Sequence, residues 1–391
     1  MIAHEIINTL FTSQHFSPLT ASHITPDKLA PVIQQVLAYP DVQLVDTYVS
    51  FEQRPIYHLR LGHGPQRILL WSQMHGDEST ATAALMDFVH LLTQHTADCL
   101  PDLNDWQNHL SIHIVPMLNP DGAAQQTRCN AQYIDINRDA LALQSPEGRI
   151  LDTLIDTIRP DCVLNLHDQN PYHSVGSQAA TSTVALLATV GDEQKTVTTA
   201  RARAMHLIES AYPILTQYVD GHIARFADTF SARSFGDNIS GRGISTILIE
   251  SGVYPNDPLR QMARRMNVLT FFTIIDALLI SQPPCPDQHI YWCIPEQQDD
   301  IYVDIKLTEL RIQTDNHGFV IDVTINYNEL GQAIIESIGD ASTQRGFIEV
   351  SLAHYQLLSE YACLRPEQPA ELIFQHPHGH TVDLQQLLSL V

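Results

Sequence analysis

The sequence predicts an α/β protein with a largely parallel central sheet, followed by a small β-rich region. Three observations favour this class. Short apolar runs typical of buried strands recur up to residue 280, segments with apolar residues at helical spacing separate them, and a proline-rich break then leads into strand-like alternation. We therefore expect two domains, residues 1–284 and residues 285–391.

The first domain is expected to open with an irregular helical lead-in over residues 1–40. From Val42 the residues alternate in hydrophobicity, and the turn Gly62–Pro65 predicts a β-hairpin that feeds a strand over residues 67–73. Further strands are expected over residues 111–118, 162–168, 183–190 and 245–251. Helices are expected over residues 81–92, 146–158, 193–212 and 258–280.

The break at residues 281–288, SQPPCPDQ, ends the last helix of the first domain. Beyond it, residues 301–313 and 319–327 are typical of two strands joined by a turn. About a hundred residues of this kind suit a sandwich-like or α+β module. This module contains no motif that indicates chemistry, so its role is left open.

The composition excludes several classes of partner. With 44 acidic and 21 basic residues, the chain has a formal net charge of −23, which would repel nucleic acid and anionic membranes. The six cysteines are scattered without a CxxC pair, as is typical of reduced thiols. The N-terminus lacks the pattern of a signal peptide, and the most apolar stretch, Val268–Ile280, is too short to cross a bilayer. We expect a soluble cytoplasmic protein, of an oligomeric state that the sequence leaves open.

Polar residues concentrate in four segments that end or follow predicted strands. They are WSQMHGDEST with His75 and Glu78, the stretch from NPDG to NRD with Arg128, Asn137 and Arg138, NLHDQN with His167, and TILIESG with Glu250. In an open α/β sheet, ligands bind at the carboxyl edge of the strands, where these segments fall. Polar loop residues that converge there indicate a functional site more than packing.

His75, Glu78 and His167 are candidate metal ligands. Residues three apart share one face of a helical turn, so His75 and Glu78 can bind from one side while His167 approaches from another strand. Two His and one Glu, with water in the fourth position, form a known type of catalytic zinc site. Taken alone, His75 and Glu78 would be read as an ordinary helix start. A purely structural zinc site is disfavoured, because no cysteine accompanies the ligands.

Glu250 and two arginines are candidates for the chemistry itself. Glu250 ends an apolar strand, where a carboxylate is costly to bury unless it is paired or near a metal, so it is a candidate general base; the alternative is a strand end that faces solvent. The guanidinium groups of Arg128 and Arg138 are suited to hold carboxylates or oxyanions. Each arginine could instead only pair with Asp135 or Asp139.

The order of these motifs resembles the zinc carboxypeptidase family related to carboxypeptidase A. The motifs are HxxE, NPDG, RxN, DxNR, a His that ends one strand and a Glu that ends a later one, and the resemblance covers residues 42–282. It implies an α/β/α sandwich around a mixed eight-stranded sheet. It also implies the following site: one zinc ion bound by His75, Glu78 and His167, an oxyanion-stabilising Arg128, a substrate-carboxylate site at Asn137 and Arg138, and a catalytic base at Glu250.

The chain departs from the digestive members of this family. Where those enzymes carry a mobile tyrosine, residues 222–238 contain phenylalanines but no tyrosine. Arg233 or Asp237 in this stretch is a candidate for substrate selection. The side-chain specificity of the digestive enzymes is therefore not transferred to this chain.

The sequence predicts a zinc-dependent hydrolase that cleaves an amide bond next to a free carboxylate, with Glu250 as the base for a metal-bound water. Two alternatives stay open. One is an N-acyl amino acid deacylase similar to aspartoacylase and succinylglutamate desuccinylase, and the other is a metal-containing peptide-binding protein without turnover. The substrate, the identity of the divalent metal and a second ion near Asp77, Asp168 and His173 are also left open.

Overall fold

The computed structural model divides into two compact units. The described residues are 3–20, 23–99, 105–177, 180–280, 289–299, 301–313, 317–328, 331–358, 364–376 and 378–390. The first unit comprises Met1–Asn170 and Ala180–Gln297, and the second comprises Pro171–Ala179 and Gln298–Val391. The expected boundary segment, residues 281–288, lies outside the described residues, and the division into residues 1–284 and 285–391 stays a prediction. The sequence pattern did not indicate that a short segment after residue 170 groups with the second unit.

The helices and strands are numbered here in chain order. The helices are α1 His4–Gln14, α2 Pro26–Leu37, α3 Thr80–Gln94, α4 Thr96–Cys99, α5 Pro120–Gln125, α6 Pro146–Ile158, α7 Thr199–Leu215, α8 Phe235–Gly241, α9 Gln261–Ile280, α10 His289–Cys293 and α11 Leu384–Leu388. The strands are β1 Val42–Val49, β2 Pro55–Gly62, β3 Gln66–Trp71, β4 Leu110–Val115, β5 Cys162–Asp168, β6 Ser174–Val175, β7 Val184–Ala188, β8 Ile223–Arg225, β9 Ser245–Ser251, β10 Gln297–Gln298, β11 Tyr302–Gln313, β12 Gly318–Tyr327, β13 Ala333–Gly339, β14 Arg345–Ser351, β15 Gln356–Leu357, β16 Ile373–Gln375 and β17 Thr381–Asp383. Among the described residues, no helix combines the length and the apolar character that a membrane span requires.

An eight-stranded mixed sheet forms the centre of the first unit. Its strand order is β1-β2-β4-β3-β5-β9-β7-β8, and the four central strands β4, β3, β5 and β9 run parallel. Antiparallel pairs occur toward the edges, between β1 and β2, β2 and β4, and β7 and β9. The α/β class is confirmed, as is the mixed eight-stranded sheet that the resemblance implies.

The prediction that the strands on either side of the turn Gly62–Pro65 pair with each other is wrong. β2 pairs with β1 on one side and with β4 on the other, so that β4 separates β2 from β3. The chain just before β4 passes close to the turn, where the amide of Gly64 donates to the carbonyl of Leu110. A Cβ on Gly64 would lie 2.0 Å from the backbone of His109, so only glycine permits this approach. Alternation within residues 42–73 carries no information about a strand that comes later in the chain.

Helices cover both faces of the sheet. Leu164 and Leu166 of β5 belong to one apolar core together with α3, α7 and α9. Val163 belongs to a second core, formed with α6 and α8. Because side chains alternate along a strand, Asn165 and His167 lie on the same face of β5 as Val163. The sheet is therefore the middle layer of a sandwich, and His167 lies on its α6 and α8 side.

A buried ion pair links the N-terminal lead-in to α3 and α9. The Nε of Arg264 lies 2.7 Å from Oδ2 of Asp87, and its Nη2 lies 2.9 Å from Oδ1. Both side chains are almost completely buried. The backbone of Phe16 completes the network, because its amide donates to Asp87 and its carbonyl accepts from Arg264.

We expect Asp87→Asn to lower the free energy of unfolding by roughly 3–5 kcal/mol, because it leaves the buried Arg264 without a compensating charge. Urea denaturation measures the change. The matched control is Asp152→Asn, which breaks the partly exposed pair of Asp152 with Arg242 and should cost less than about 1 kcal/mol. If Asp87→Asn lowers the free energy of unfolding no more than the control does, the buried ion pair does not stabilise the fold in this way.

The second unit is β-rich. Its seven-stranded sheet has the order β13-β12-β11-β15-β16-β17, and β14 also pairs with β11. The apolar face of this sheet builds a separate core, with Ile305, Val323 and Phe374 fully buried. The short helix α11 begins with a capping box formed by Asp383 and Gln386. The expectation of a β-rich C-terminal region is confirmed.

Candidate metal centre

The structure brings His75, Glu78 and His167 together at the carboxyl end of the parallel strands. His75 and Glu78 lie in the turn between β3 and α3, while His167 lies in β5, which pairs in parallel with β3. The carboxyl ends of both strands therefore lie at the same edge of the sheet. The ligand atoms of the three residues all lie within 4.8 Å of one another, and the side chains are largely buried.

Three close contacts define the centre. Nδ1 of His75 lies 2.7 Å from Oε1 of Glu78, and Nδ1 of His167 lies 2.8 Å from Oε2 of the same carboxylate. The two Nδ1 atoms are 3.2 Å apart. Both imidazoles thus present the same nitrogen to one point, and a single carboxylate spans them.

This donor set fits zinc. Zinc binds imidazole nitrogen at about 2.0–2.1 Å in a tetrahedral arrangement, which places two nitrogen ligands about 3.3 Å apart. The observed separation of 3.2 Å between the Nδ1 atoms matches such an edge. Neutral imidazoles and an ionised carboxylate are also the ligand types that zinc prefers. His75, Glu78 and His167 are therefore the residues that would hold the ion.

Neighbouring groups orient these ligands. Nε2 of His75 lies 3.1 Å from Oδ1 of Asp135, and the backbone amide of Asp168 donates to Oε2 of Glu78 at 3.1 Å. A carboxylate behind a ligating histidine fixes the ring and makes the nitrogen a better ligand. The sequence pattern points to Asp135 only as a partner for an arginine. One signal in the sequence could have singled it out, because Asp is a preferred N-cap residue. In the structure Asp135 precedes the 3₁₀ turn Ile136–Arg138, and its carboxylate caps that turn.

The electrostatics of the cluster favour ionised carboxylates. Burial acts to raise the pKa of Glu78, but the charges and hydrogen bonds of His167 and His75 outweigh burial and hold that pKa well below its usual range. Burial also acts to raise the pKa of Asp135, and its hydrogen bond with His75, aided by Arg128, brings that pKa below its usual range. Both carboxylates are therefore ionised within the cluster.

Glu250 lies one strand away from His167. The two residues are in register on the parallel strands β9 and β5, so their side chains leave the sheet on the same face at a strand spacing of about 5 Å. Only 9% of Glu250 is exposed. Burial, with the added charges of Glu78 and Asp168, raises the pKa of Glu250 well above its usual value. Of the two sequence interpretations, a solvent-facing strand end does not describe this residue.

Arg128 lies at the edge of the centre. Its Nε is 3.1 Å from Oδ2 of Asp135, and its Nη1 is 3.3 Å from Oε1 of Glu78. The ion pair with Asp135 is the one considered as a structural alternative from sequence. The contact with Glu78 goes beyond that alternative, because it places the guanidinium beside the ligands. Since 46% of the side chain is exposed, the group borders both the centre and solvent.

Asn137 and Arg138 follow directly in the 3₁₀ turn. Oδ1 of Asn137 accepts a hydrogen bond from the amide of Phe235 at 3.0 Å and so connects the turn to the start of α8. Arg138 is exposed, and its Nη1 donates to the carbonyl of Asn137 at 2.8 Å. Asp139, the other partner considered for an arginine, accepts from the amide of Ser145 instead. The exposed guanidinium of Arg138 is therefore carried on a turn that Asn137 anchors.

The two candidates for substrate selection lie near this turn. Nε of Arg233 donates to the carbonyl of Arg138 at 3.2 Å. Oδ2 of Asp237 accepts from the amide of Ser231 at 2.7 Å. Burial raises the pKa of Asp237 to about 6, and the charge of Arg138 opposes that rise. Both residues thus border the segment that carries Arg138.

In the described part of the chain, one group of His, Cys, Asp or Glu side chains has ligand atoms close enough to share a metal, and it is the group above. Asp168 instead accepts hydrogen bonds from the amide and the hydroxyl of Thr80. His173 forms an ion pair with Asp299. Within those residues the structure offers no second cluster around Asp77, Asp168 and His173.

The chain is similar to known proteins in sequence and in fold. The family model described as zinc carboxypeptidase matches residues 31–184, a range that includes all three candidate ligands and ends before Glu250. This chain is similar to the zinc carboxypeptidases. Carboxypeptidase SOL1 of Arabidopsis thaliana is 26% identical over 186 residues, which is 42% of this chain and 38% of that protein. The chain thus matches less than half of the length of this curated relative.

Solved metallocarboxypeptidases share the fold. The metallo-carboxypeptidase from Burkholderia cenocepacia has a TM-score of 0.54 and 17% identity, over 66% of this chain and 70% of that chain. Carboxypeptidase A from Helicoverpa armigera has a TM-score of 0.52 and 15% identity, over 70% of this chain and 79% of that chain. A metallo-carboxypeptidase from Pseudomonas aeruginosa has a TM-score of 0.51 and 18% identity, over 66% and 69% of the two chains. At these identities the comparison shows the fold alone.

We expect Asp135→Asn to weaken zinc binding about 10–100-fold, because the variant loses the carboxylate that orients the ring of His75. Competition with a chromogenic chelator measures the affinity. Asp77→Asn is the control, since Asp77 is an exposed carboxylate in the same turn as His75 and should leave the affinity unchanged. Equal affinities for the two variants would show that Asp135 does not support the ligand.

Proposed function

We propose that this protein is a zinc-dependent metallocarboxypeptidase, which hydrolyses the amide bond next to a free C-terminal carboxylate. One juxtaposition carries the proposal: the convergent ligands His75, Glu78 and His167 lie beside the buried carboxylate of Glu250. The family match and the shared fold support a metallopeptidase role.

The base of the reaction is Glu250. Bound zinc would supply a water whose pKa is lowered to about 7 and would polarise the scissile carbonyl. The Glu250 carboxylate takes a proton from the attacking water and passes it to the nitrogen of the departing amine. Its position in register with His167 on the neighbouring parallel strand supports this role.

Arg128 stabilises developing negative charge. As the scissile carbonyl becomes tetrahedral, its oxygen gains charge that a guanidinium donor can bind. The contacts of Arg128 with Asp135 and Glu78 hold the group at the edge of the centre before the reaction begins. Less reorganisation is then needed in the transition state.

Arg138 and Asn137 bind the terminal carboxylate of the substrate. A guanidinium matches the two oxygens of a carboxylate, and the Arg138 side chain is exposed for such contact. The hydrogen bond from Phe235 to Asn137 keeps the turn in place. The Pseudomonas aeruginosa structure is a complex with (2-guanidinoethylmercapto)succinic acid, a compound that carries two carboxyl groups.

An N-acyl amino acid deacylase would use the same chemistry on a shorter substrate. A binding protein without turnover would not require a buried base next to the ligands, so Glu250 argues against it. A panel of free peptides, C-terminally amidated peptides and N-acyl amino acids separates the three functions. Hydrolysis of free peptides alone supports the proposal, hydrolysis confined to acyl amino acids replaces it with the deacylase, and binding without hydrolysis refutes it.

We expect Glu250→Gln to lower kcat by about 10²–10⁴-fold while zinc content stays unchanged, because the amide cannot accept the proton of the attacking water. Steady-state kinetics and metal analysis of the same preparation measure both quantities. Glu193→Gln, at an exposed position before α7, is the control and should change neither. Turnover retained by Glu250→Gln would remove Glu250 from this role.

We expect Arg138→Gln to raise KM for peptides with a free C-terminus by about 10–100-fold, since charge-assisted hydrogen bonds to the carboxylate are lost. The selectivity for free over amidated peptides should shrink by a similar factor. The control is Arg365→Gln, at an exposed arginine of the second unit. An unchanged selectivity would show that another group binds the carboxylate.

A further inference from the structure

A fully buried glutamate, Glu147, lies at the start of α6. It is the second residue of the helix and follows the N-cap Ser145 and Pro146. An acidic residue in the first turn of a helix interacts favourably with the helix dipole and does not need to be buried for that purpose. Burying a carboxylate is unfavourable unless other groups satisfy it, so the contacts of Glu147 indicate what it is buried for.

Both oxygens of this carboxylate accept hydrogen bonds from other segments of the chain. Nδ2 of Asn130 donates to Oε2 of Glu147 at 2.8 Å, and the backbone amide of Phe51 donates to Oε1 at 3.1 Å. Asn130 is itself buried. The bond between the two side chains therefore connects α6 with the segment that follows Arg128.

Asn130 closes the loop that separates Arg128 from Asp135. Its Oδ1 accepts from the amides of Gln132 and Ile134, each at 3.0 Å, and its own amide donates to the carbonyl of Ile134 at 3.0 Å. These bonds bring the two ends of the loop together. Arg128 and Asp135 lie at those ends, where Nε of Arg128 is 3.1 Å from Oδ2 of Asp135.

Both ends of this loop contact the candidate ligands. Oδ1 of Asp135 lies 3.1 Å from Nε2 of His75. Nη1 of Arg128 lies 3.3 Å from Oε1 of Glu78. A continuous series of hydrogen bonds therefore leads from Glu147 to the two groups that border the metal centre.

We propose that Glu147 is a positioning residue for the metal centre. Through its hydrogen bond with Asn130, it holds the loop whose ends, Arg128 and Asp135, contact the candidate ligands. The effect on zinc affinity rests on the assignment of the metal centre, and the effect on turnover rests on the proposed function. Because Glu147 acts through Asp135, its loss should weaken zinc binding less than the loss of Asp135 itself.

The decisive experiment exchanges the two hydrogen-bond partners. In Glu147→Gln, the side-chain amide accepts from only one of the two buried donors, because its nitrogen is itself a donor. In Asn130→Asp, two carboxylates face each other. The double variant Glu147→Gln/Asn130→Asp restores the pair, since the glutamine nitrogen donates to the aspartate and the glutamine oxygen accepts from Phe51. The aspartate still accepts from the loop amides, and the net charge of the protein is unchanged.

We expect each single variant to weaken zinc binding about three- to tenfold, and the double variant to bind within about twofold of the unaltered protein. Competition with a chromogenic chelator measures the affinity, and thermal unfolding of the metal-free proteins measures Tm. In the background of Asp135→Asn, Glu147→Gln should weaken binding by less than about twofold, because no carboxylate is then left to position. The value of kcat on peptides should follow the zinc affinity across the variants, since Arg128 is held by the same loop.

Asp87→Asn is the matched control. Asp87 is also a fully buried carboxylate, and its partner Arg264 lies in α9 and not in this loop. The control should lower Tm at least as much as Glu147→Gln and leave the zinc affinity unchanged. If Glu147→Gln does not fold, Glu147→Asp takes its place, because that variant keeps both acceptor oxygens and withdraws them by one methylene.

Three outcomes would overturn the proposal. Single variants that lower Tm but bind zinc as the unaltered protein does would show that Glu147 only stabilises the fold. A double variant that does not regain affinity would show that the bond with Asn130 is not the connection. An unaltered protein that binds no zinc would refute the metal centre and this inference with it. Zinc binding without hydrolysis of any peptide would refute the proposed function alone, and the affinities would still decide the role of Glu147.

Discussion

The carboxylate of Glu78, held between two imidazoles, is the interaction on which the site depends. Its oxygens lie 2.7 and 2.8 Å from Nδ1 of His75 and Nδ1 of His167. Burying an ionised carboxylate is unfavourable unless positive charge lies close to it. A divalent cation between these three side chains would supply that charge, and the nearby Asp135 and the amide of Asp168 orient the ligands without neutralising them.

The sheet gives this centre its geometry. Because β3, β5 and β9 pair in parallel, the turn with His75, the candidate ligand His167 and the carboxylate of Glu250 lie at one edge of the sheet. Two layers of helices bury the sheet on both faces, so the polar strand ends are the part of the strands left for binding. One hydrogen bond then fixes the start of α8 to the turn at Asn137, and it joins the segment that we propose to bind the substrate carboxylate to the same sheet edge.

Residues at strand ends can be read from the sequence because a strand pattern and a polar residue after it are both local signals. His167 and Glu250 are of this kind. The order of strands in a sheet depends on contacts between distant parts of the chain. The alternation of residues 42–73 therefore does not indicate that β4 lies between β2 and β3. Asp135 is missed because a carboxylate in an arginine-rich loop pairs as readily with Arg128 as with a histidine 60 positions earlier in the chain.

The most direct test of the account is the zinc content of the purified full-length protein and of Glu78→Gln, measured by mass spectrometry after dialysis against metal-free buffer. We expect about one zinc per chain in the unaltered protein and a loss of most of it in the variant, whose circular dichroism spectrum should show that the fold is retained. Equal zinc content in both proteins, or none in either after reconstitution, would contradict the assignment of His75, Glu78 and His167 as a metal centre.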